Sequence, residues 1–349
     1  MHAVVIPHFG EAEVLRLDSV RDPEPLPREV LVKVHASGVN RADLLQRRGL
    51  YPPPPGVSEV PGLEFAGVVE EVGTDVTRWK PGDRVMGIVA GGGYAERVVV
   101  DERVAVGVPP GMDLTVAGAI PEVYMTAFDA VFRQAGLTAG EALLVHAVGS
   151  GVGTAAVQLA RRAGARTIGT SRTPAKLERA AAMGLDVGLN GGEAWVEGVV
   201  EATGGRGADV ILDLVGGPYL EKNQAAVAVG GRHVVVGVPG GSRAEIDLRA
   251  LMARRARLFG TVLRARGVVE KAALAKEFGA EVVPGFVDGL LVPVIDRIFP
   301  VTEAVDAHLR MEANENFGKI VLVWGAAVQL GRCTGTNTLM REVARWTSG

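Results

Sequence analysis

Two kinds of hydrophobic pattern divide the chain. Up to about residue 121, short apolar runs are separated by glycine and proline, which is typical of an all-β domain. From residue 122 to 262, strand-like and helix-like runs alternate, which favours a parallel sheet covered by helices. In the first region the predicted strands are 2–6, 29–34, 65–72, 84–89 and 94–100, with a short polar helix at 40–49 and a proline loop at 52–55.

The strongest pattern is LLVHAVGSGVGTAAVQLARRA at 143–163. Residues 143–145 predict a strand buried on both faces, and after the glycines apolar residues recur every three or four positions, as on one face of a helix. A strand that turns through glycines into a helix presents free backbone N–H groups and the positive end of the helix dipole, which suits phosphate. We therefore predict that Ser150, Gly151 and Val152 bind a dinucleotide.

The pattern after this turn predicts the rest of a Rossmann domain. Its expected strands are 166–170, one near residue 187, 210–215, 233–238 and 258–262, and its expected helices are 174–183, 193–202, one after Pro218 and 248–255. Six strands with intervening helices make a doubly wound sheet, which binds ligand at the carboxyl ends of its strands. Those ends lie near Gly149, Ser171, Val215 and Gly237.

The last part of the chain predicts a helix at 269–278, a strand at 294–299, a helix from Thr302 and a strand at 318–324. Because the first region is too small to close alone, we expect this segment to fold back onto it. The predicted domains are 1–121 with 265–324, and 122–264. Residues 325–349 are predicted to form a tail of unclear structure, in which 339–346 fits one or two helical turns.

Composition narrows the function classes. The 349 residues are 48% hydrophobic with a net charge of −3, as in an ordinary soluble protein, and no basic stripe indicates nucleic-acid binding. The longest apolar runs are far shorter than the roughly 20 residues that span a bilayer, and the first residues do not resemble a secretory signal. The single cysteine, Cys333, excludes an intrachain disulfide. We expect a cytoplasmic protein.

The end of the second Rossmann strand indicates which dinucleotide binds. An acidic residue there would hold the ribose 2′-OH of NAD, but the sequence has none. Ser171, Arg172 and Lys176 can instead surround a 2′-phosphate. The pattern therefore favours NADPH, with solvated charges near a helix start as the alternative interpretation.

Several separated motifs point to one family. They are GVNRADLLQRRGLYPPPPG at 38–56, PGLEFAGVVEEVG at 61–73, HAVGSGVGTAAVQLA at 146–160, ILDLVGG at 211–217, EKN at 221–223 and MEANENFGKIVL at 311–322. Together they resemble the zinc-independent NADPH:quinone oxidoreductases of the medium-chain dehydrogenase/reductase superfamily, over roughly residues 1–324. Within that family they most resemble the branch of the human quinone oxidoreductase induced by the p53 pathway. The resemblance implies a GroES-like β-barrel catalytic domain beside the Rossmann domain.

The resemblance also implies site residues. It places Thr126, Val215, Gly237 and Leu263 along a nicotinamide channel, and Asn316 and Lys319 near the cofactor, although each also fits a plain core or surface role. It implies a homodimer joined through the sheet edge at 257–262, since an exposed strand edge is usually covered.

Zinc is not expected. Alcohol dehydrogenases of the same superfamily bind catalytic zinc through a cysteine near position 40 and the histidine of a GHE motif. This chain has Asn40 and Leu63 at the matching positions. The resemblance therefore implies that no metal is bound.

Without a metal Lewis acid, hydrogen bonds must polarise the acceptor carbonyl, and Asn40 and Tyr51 are the candidate catalytic residues. Tyr51 either donates a proton or only orients the substrate. The predicted reaction transfers reducing equivalents from NADPH to a small-molecule quinone. Two alternatives stay open: an NADPH-dependent reductase of activated C=C bonds such as enones or enoyl thioesters, and an NADPH-binding structural or RNA-binding protein with little turnover.

Overall fold

Strands dominate the first part of the computed structural model, which describes residues 1–192 and 194–325. These strands are β1 (His2–Val5), β2 (Arg16–Ser19), β3 (Glu29–Val39), β4 (Glu64–Val72), β5 (Arg84–Ile88), β6 (Arg97–Asp101) and β7 (Val106–Gly107). The helices are α1 (Arg41–Arg47), α2 (Leu114–Ala117) and α3 (Pro121–Phe128), and α3 continues as a π-helix, Asp129–Gln134. The sequence pattern did not predict β2, β7, α2 or α3.

The middle of the chain is the predicted Rossmann sheet. Its strands are β8 (Ala142–Val145), β9 (Arg166–Ser171), β10 (Val187–Asn190), β11 (Ala208–Asp213), β12 (Val227–Val235) and β13 (Arg257–Gly260), and its helices are α4 (Gly151–Arg162), α5 (Pro174–Ala182), α6 (Trp195–Ala202), α7 (Leu220–Ala226) and α8 (Leu248–Arg254). All pairs are parallel, in the order β10-β9-β8-β11-β12-β13. This is the strand order of a dinucleotide-binding domain, and β13 lies at its edge as expected.

The last segment completes the first sheet. It contains α9 (Val268–Glu281), α10 (Val283–Val287), β14 (Ile295–Pro300), α11 (Ala304–Glu312) and β15 (Lys319–Val323). β15 pairs antiparallel with β3, so the sheet runs β14-β15-β3-β4-β5-β7, and β6 also pairs with β3. The segment therefore folds back onto the first region, as the sequence predicts. The domain limits at 121 and 265 stay a prediction.

Several predicted strands have different bounds in the structure, and β3 extends to Val39 rather than ending at residue 34. β12 begins at Val227 rather than at residue 233, and β11 ends at Asp213 rather than at residue 215. The reason at β11 is local, because the Asp213 carboxylate accepts the backbone N–H groups of Val215 and Gly216 and so turns the chain. The predicted helix at 339–346, most of the predicted tail and Glu193 lie outside the described residues. Among the residues that are described, no helix has the length and apolar character to cross a membrane.

Helix α3 connects the two parts of the molecule. All of its residues are buried except Glu122, which is half-buried. Its apolar side chains belong to a core cluster that also includes residues of β3 and β8. The helix therefore holds one end of the first sheet against the Rossmann sheet, where the predicted site lies.

Candidate active site

The predicted dinucleotide turn has the geometry that close phosphate approach requires. Ser150 caps α4, and its Oγ accepts a hydrogen bond from the N–H of Gly153 at 3.1 Å. A Cβ at Gly153 would lie 2.7 Å from the carbonyl oxygen of Val148, and one at Gly151 would lie 2.8 Å from Val123 Cγ1. Only glycine fits these two positions, and the N-terminus of a 12-residue helix points out of the turn. The turn therefore fits a dinucleotide pyrophosphate.

The three residues predicted to hold a 2′-phosphate lie at the end of β9 and in the first turn that follows it. They differ in whether the protein already occupies their polar groups with hydrogen bonds. Ser171 Oγ accepts the N–H of Thr173 at 3.1 Å, and Lys176 Nζ donates to the carbonyl oxygen of Asn314 at 2.5 Å. Burial lowers the pKa of Lys176. Arg172 is exposed, and its guanidinium has no hydrogen-bond partner among residues 1–192 and 194–325. Arg172 is therefore the most available phosphate ligand of the three.

The residues expected along the nicotinamide channel are distributed over four segments. Thr126 lies on α3 and is buried, and Leu263 is buried in the core beyond β13. Val215 and Gly237 are half-buried in the turns after β11 and β12. The Asp213 carboxylate accepts a hydrogen bond from the N–H of Val215 at 2.8 Å, and this bond fixes the turn after β11.

A buried ion pair lies beside the dinucleotide turn. Lys319 is 3% exposed and Glu64 is fully buried, with Lys319 Nζ 2.6 Å from Glu64 Oε1. The ammonium also donates to Val39 O at 2.9 Å and to Asn40 Oδ1 at 2.8 Å. All three ammonium protons are thus used. We call Asn40, Glu64 and Lys319 the Lys319 cluster.

Asn40 is held entirely within this cluster. Its Nδ2 donates to Gly38 O at 3.1 Å and to Glu64 Oε1 at 2.9 Å, while its Oδ1 accepts from Lys319. Both amide protons are therefore already donated inside the protein. Gly38 makes room for the cluster, since a Cβ there would lie 2.3 Å from Glu64 Oε1.

Buried charges continue from the cluster into helix α1. Asp43 is fully buried, and it accepts hydrogen bonds from Asn40 N, Gly62 N and the Tyr94 hydroxyl. Burial raises the pKa of Asp43 to about 6 despite these donors. The NRADLLQRRG segment is therefore polar partly because Asp43, Gln46 and Arg47 make internal hydrogen bonds, while Arg41 and Arg48 face water.

Tyr51 lies close enough to these charged groups for the charge of Glu122 to act on its hydroxyl. Its carbonyl oxygen accepts from Arg264 Nη1 at 2.9 Å, and the Arg264 guanidinium lies 5.0 Å from the centre of its ring. Arg264 also binds Gln46 and Ala90, and Lys271 Nζ donates to the Arg264 carbonyl oxygen. The Tyr51 hydroxyl has no hydrogen-bond partner in the described part of the chain, and burial raises its pKa. The phenol is free to contact a substrate.

Glu122 completes these charged groups. Its backbone N–H donates to Glu64 Oε2 at 2.9 Å, which ties the start of α3 to the Lys319 cluster. Burial, helped by the charge of Glu64, raises the pKa of Glu122 to about 8, although Lys319 and Lys271 oppose the shift.

The dinucleotide turn and the Lys319 cluster are in direct contact. The N–H of Gly318 donates to Gly149 O at 2.9 Å, and Asn316 Nδ2 donates to Gly318 O at 2.9 Å. Lys319 Cδ lies 2.9 Å from the position that a Cβ on Gly151 would occupy. The Lys319 stem therefore passes along the turn, while its ammonium reaches the first sheet.

Some of the site residues escaped sequence prediction. Glu64, Glu122 and Arg264 are not among the residues that the sequence predicts for the site. A signal existed for Glu122, because Pro121 marks the first turn of a helix and the following residues are apolar. Within residues 1–192 and 194–325, no three His, Cys, Asp or Glu side chains are placed to hold a metal ion.

Comparison with known proteins agrees with this geometry. Residues 26–110 match the family model described as the alcohol dehydrogenase GroES-like domain, and residues 151–273 match the model described as zinc-binding dehydrogenase. The human quinone oxidoreductase is 33% identical over 329 residues, which cover 93% of this chain and 98% of the relative.

Solved structures share the whole fold. A crystal structure of an NAD-dependent alcohol dehydrogenase matches with a TM-score of 0.83 at 32% identity, covering 93% of this chain and 100% of the other. The CurK enoyl reductase matches with a TM-score of 0.82 at 26% identity, covering 92% and 98%. The chain is an oxidoreductase, and it belongs to the quinone oxidoreductase family of the medium-chain dehydrogenase/reductase superfamily.

Proposed function

We propose that the chain reduces small quinones with NADPH and without zinc. The observation that carries this proposal is the contact between the dinucleotide turn and the Lys319 cluster, because it brings a cofactor site against polar residues whose neighbours include Glu122. When bound, the nicotinamide supplies a hydride to the acceptor. The human relative named quinone oxidoreductase supports the choice of acceptor.

In this proposal the chain's residues have separate roles. The turn at Ser150, Gly151 and Val152 binds the pyrophosphate through backbone N–H groups, and Arg172 binds the 2′-phosphate. Tyr51 orients the acceptor with its free hydroxyl. Asn40 acts as a positioning residue, since its amide protons hold Glu64 and Gly38 and cannot reach a substrate.

The decisive measurement is NADPH oxidation by the purified chain with a panel of ortho- and para-quinones. We expect turnover with NADPH that exceeds turnover with NADH. NADPH binding without oxidation by any quinone or enone would contradict the proposal and favour a binding protein with little turnover.

Reduction of activated C=C bonds is the second candidate, because a structure named an enoyl reductase shares the whole fold. Quinones, enones and enoyl thioesters compared at one NADPH concentration separate the two, and a higher kcat/KM for a C=C substrate would select the second. The proposal also includes a homodimer through β13, which sedimentation tests, and a cytoplasmic location, which cell fractionation tests.

A further inference from the structure

Glu122 is a half-buried carboxyl whose surroundings give it no structural task. Its backbone N–H is anchored to Glu64, but its side chain makes no hydrogen bond among the described residues. Removing a carboxyl partly from water without a hydrogen-bond partner disfavours its ionised form, and groups perturbed in this way are concentrated at functional sites. The side chain therefore calls for a functional explanation.

The position of Glu122 on α3 places it near the expected reaction centre. Thr126, which is expected along the nicotinamide channel, lies four residues later and so on the same face of the helix, one turn away. Val123, the next residue, packs against the dinucleotide turn at Gly151. Glu122 therefore lies at the end of α3 that packs against the dinucleotide turn.

Charged and titratable groups from six other parts of the chain act on Glu122 or respond to its charge. Glu64 on β4 and Asp43 on α1 are acidic, while Lys319 on β15 and Lys271 on α9 are basic. Tyr51 lies in the loop after α1, and Arg264 lies in the loop after β13. The charge of Glu122 acts to raise the pKa of both side chains. Burial outweighs the two lysines and raises the pKa of Glu122 to about 8, so the carboxyl carries a proton at neutral pH.

The other candidate proton donors are less suitable. Lys319 has donated all three protons to oxygen atoms of the protein, and Asn40 has donated both of its amide protons. Tyr51 has a free hydroxyl, but burial raises its pKa above the ordinary value near 10, which makes it a slow donor at neutral pH. Glu122 is the one of these groups that holds a transferable proton.

We propose that Glu122 is a catalytic residue that donates the proton completing the reduction. This inference rests on the proposed function. As the acceptor receives a hydride from the nicotinamide, the Glu122 O–H bond breaks and a new O–H bond forms on the acceptor oxygen. One hydride and one proton complete a two-electron reduction, and solvent then reprotonates the carboxylate.

The first test compares Glu122→Gln with the wild-type chain in quinone reduction. Glutamine has the shape of the protonated acid but cannot release a proton, so kcat falls on the order of 10²-fold or more while the NADPH Kd stays unchanged. Wild-type kcat decreases as pH rises through about 8, because the acid form is lost, and the variant lacks this decrease.

Two further variants serve as controls. Glu122→Asp, which keeps the acid, retains part of the activity. Glu197→Gln, which alters an exposed carboxylate in the first turn of α6, leaves kcat unchanged.

The second test needs no turnover. A carboxyl whose pKa is raised from 4.5 in the unfolded chain to about 8 in the folded one stabilises the protein when protonated, and this contribution is lost as pH rises from 4.5 to 8. Relative to wild type, Glu122→Gln therefore has equal thermal stability near pH 4.5 and higher stability at pH 9.

The outcomes separate the two proposals. If wild type reduces no quinone or enone, the proposed function fails, while the stability curves still test the protonation of Glu122. Wild-type turnover together with an unchanged kcat and pH profile in Glu122→Gln overturns the role of Glu122. Parallel stability curves for the two proteins also overturn it.

Discussion

The dinucleotide turn and the Lys319 cluster lie in contact but are built in different ways. The turn is a backbone site from one stretch of sequence, in which glycines and a helix N-terminus supply the binding groups. The cluster is a side-chain site in which Asn40, Glu64 and Lys319 come from three distant segments. Its charges can be buried only because the fold brings these segments together and pairs the charges.

Because of this difference, we expect changes in the turn to affect cofactor affinity and changes in the cluster to affect the stability of the fold. A change in the turn leaves a buried core intact and weakens binding of the ligand. A change in the cluster leaves a charge without its partner in the interior, where an unpaired charge is far more costly than a lost contact at the surface. Four substitutions test this distinction.

The largest effect is expected in the cluster. Lys319→Met removes the ammonium from the fully buried Glu64, so the free energy of unfolding decreases by about 3–5 kcal/mol in chemical denaturation. Arg21→Ala, which breaks an ion pair with Glu24 that is exposed on both sides, serves as the control and leaves the unfolding curve unchanged. A Lys319→Met variant as stable as wild type would show that the cluster does not stabilise the fold.

The next effect is expected in the turn. Gly153→Ala places a Cβ 2.7 Å from the carbonyl oxygen of Val148, which deforms the turn and raises the NADPH Kd about 10-fold or more, or about 1.4 kcal/mol. Fluorescence titration measures the Kd. Gly279→Ala on α9, where the nearest atom is 3.8 Å away, leaves it unchanged. Equal affinity in both variants would remove the turn from the binding site.

A smaller, selective effect is expected at the end of β9. Arg172→Ala removes the exposed guanidinium, so the Kd for NADPH increases roughly 10-fold while the Kd for NADH stays the same, because a charge-assisted hydrogen bond contributes about 1.5–3 kcal/mol. Arg166→Ala, at the other end of the same strand, changes neither value. Parallel losses for both cofactors would refute the 2′-phosphate role.

The smallest effect is expected at Tyr51. Tyr51→Phe keeps the ring over which Arg264 lies and removes only the hydroxyl, so kcat falls by less than about 10-fold, as for a lost neutral hydrogen bond, and the NADPH Kd is unchanged. Stopped-flow turnover with one quinone measures this. Unchanged activity would exclude the hydroxyl from the mechanism, and a loss as large as that in Glu122→Gln would make Tyr51 the proton donor.

Sequence analysis predicts the turn well for a physical reason. Its signal is local, since the apolar run, the glycines and the helix stripe are neighbours in the chain and their periods differ. The same holds for the alternation that predicts the six parallel strands. The pattern does not predict where each strand ends, because a single side chain can decide it. Asp213, for example, ends β11 by accepting the N–H groups of Val215 and Gly216.

The cluster could not be predicted in the same way. Lys319 and Glu64 are 255 residues apart, and a lone Lys or Glu in a strand looks like an ordinary surface charge. Asp43 likewise resembles a surface carboxylate in the sequence, because its hydrogen-bond donors Gly62 and Tyr94 are distant along the chain. Such residues become visible only when the pairing of β15 with β3 is known, because that pairing sets which charges meet.

The contact between Gly318 and Gly149 also limits how the two sheets can move relative to each other. The backbone hydrogen bond joins the Rossmann sheet to the first sheet at one point, and the bonds of Arg264 to Tyr51, Gln46 and Ala90 join them at a second. Gln158 on α4 adds two hydrogen bonds to the backbone of Val292, and Lys176 on α5 adds one to Asn314. A movement that separates the two sheets must therefore break several of these bonds, so the spacing between the dinucleotide turn and Lys319 is set by the fold itself.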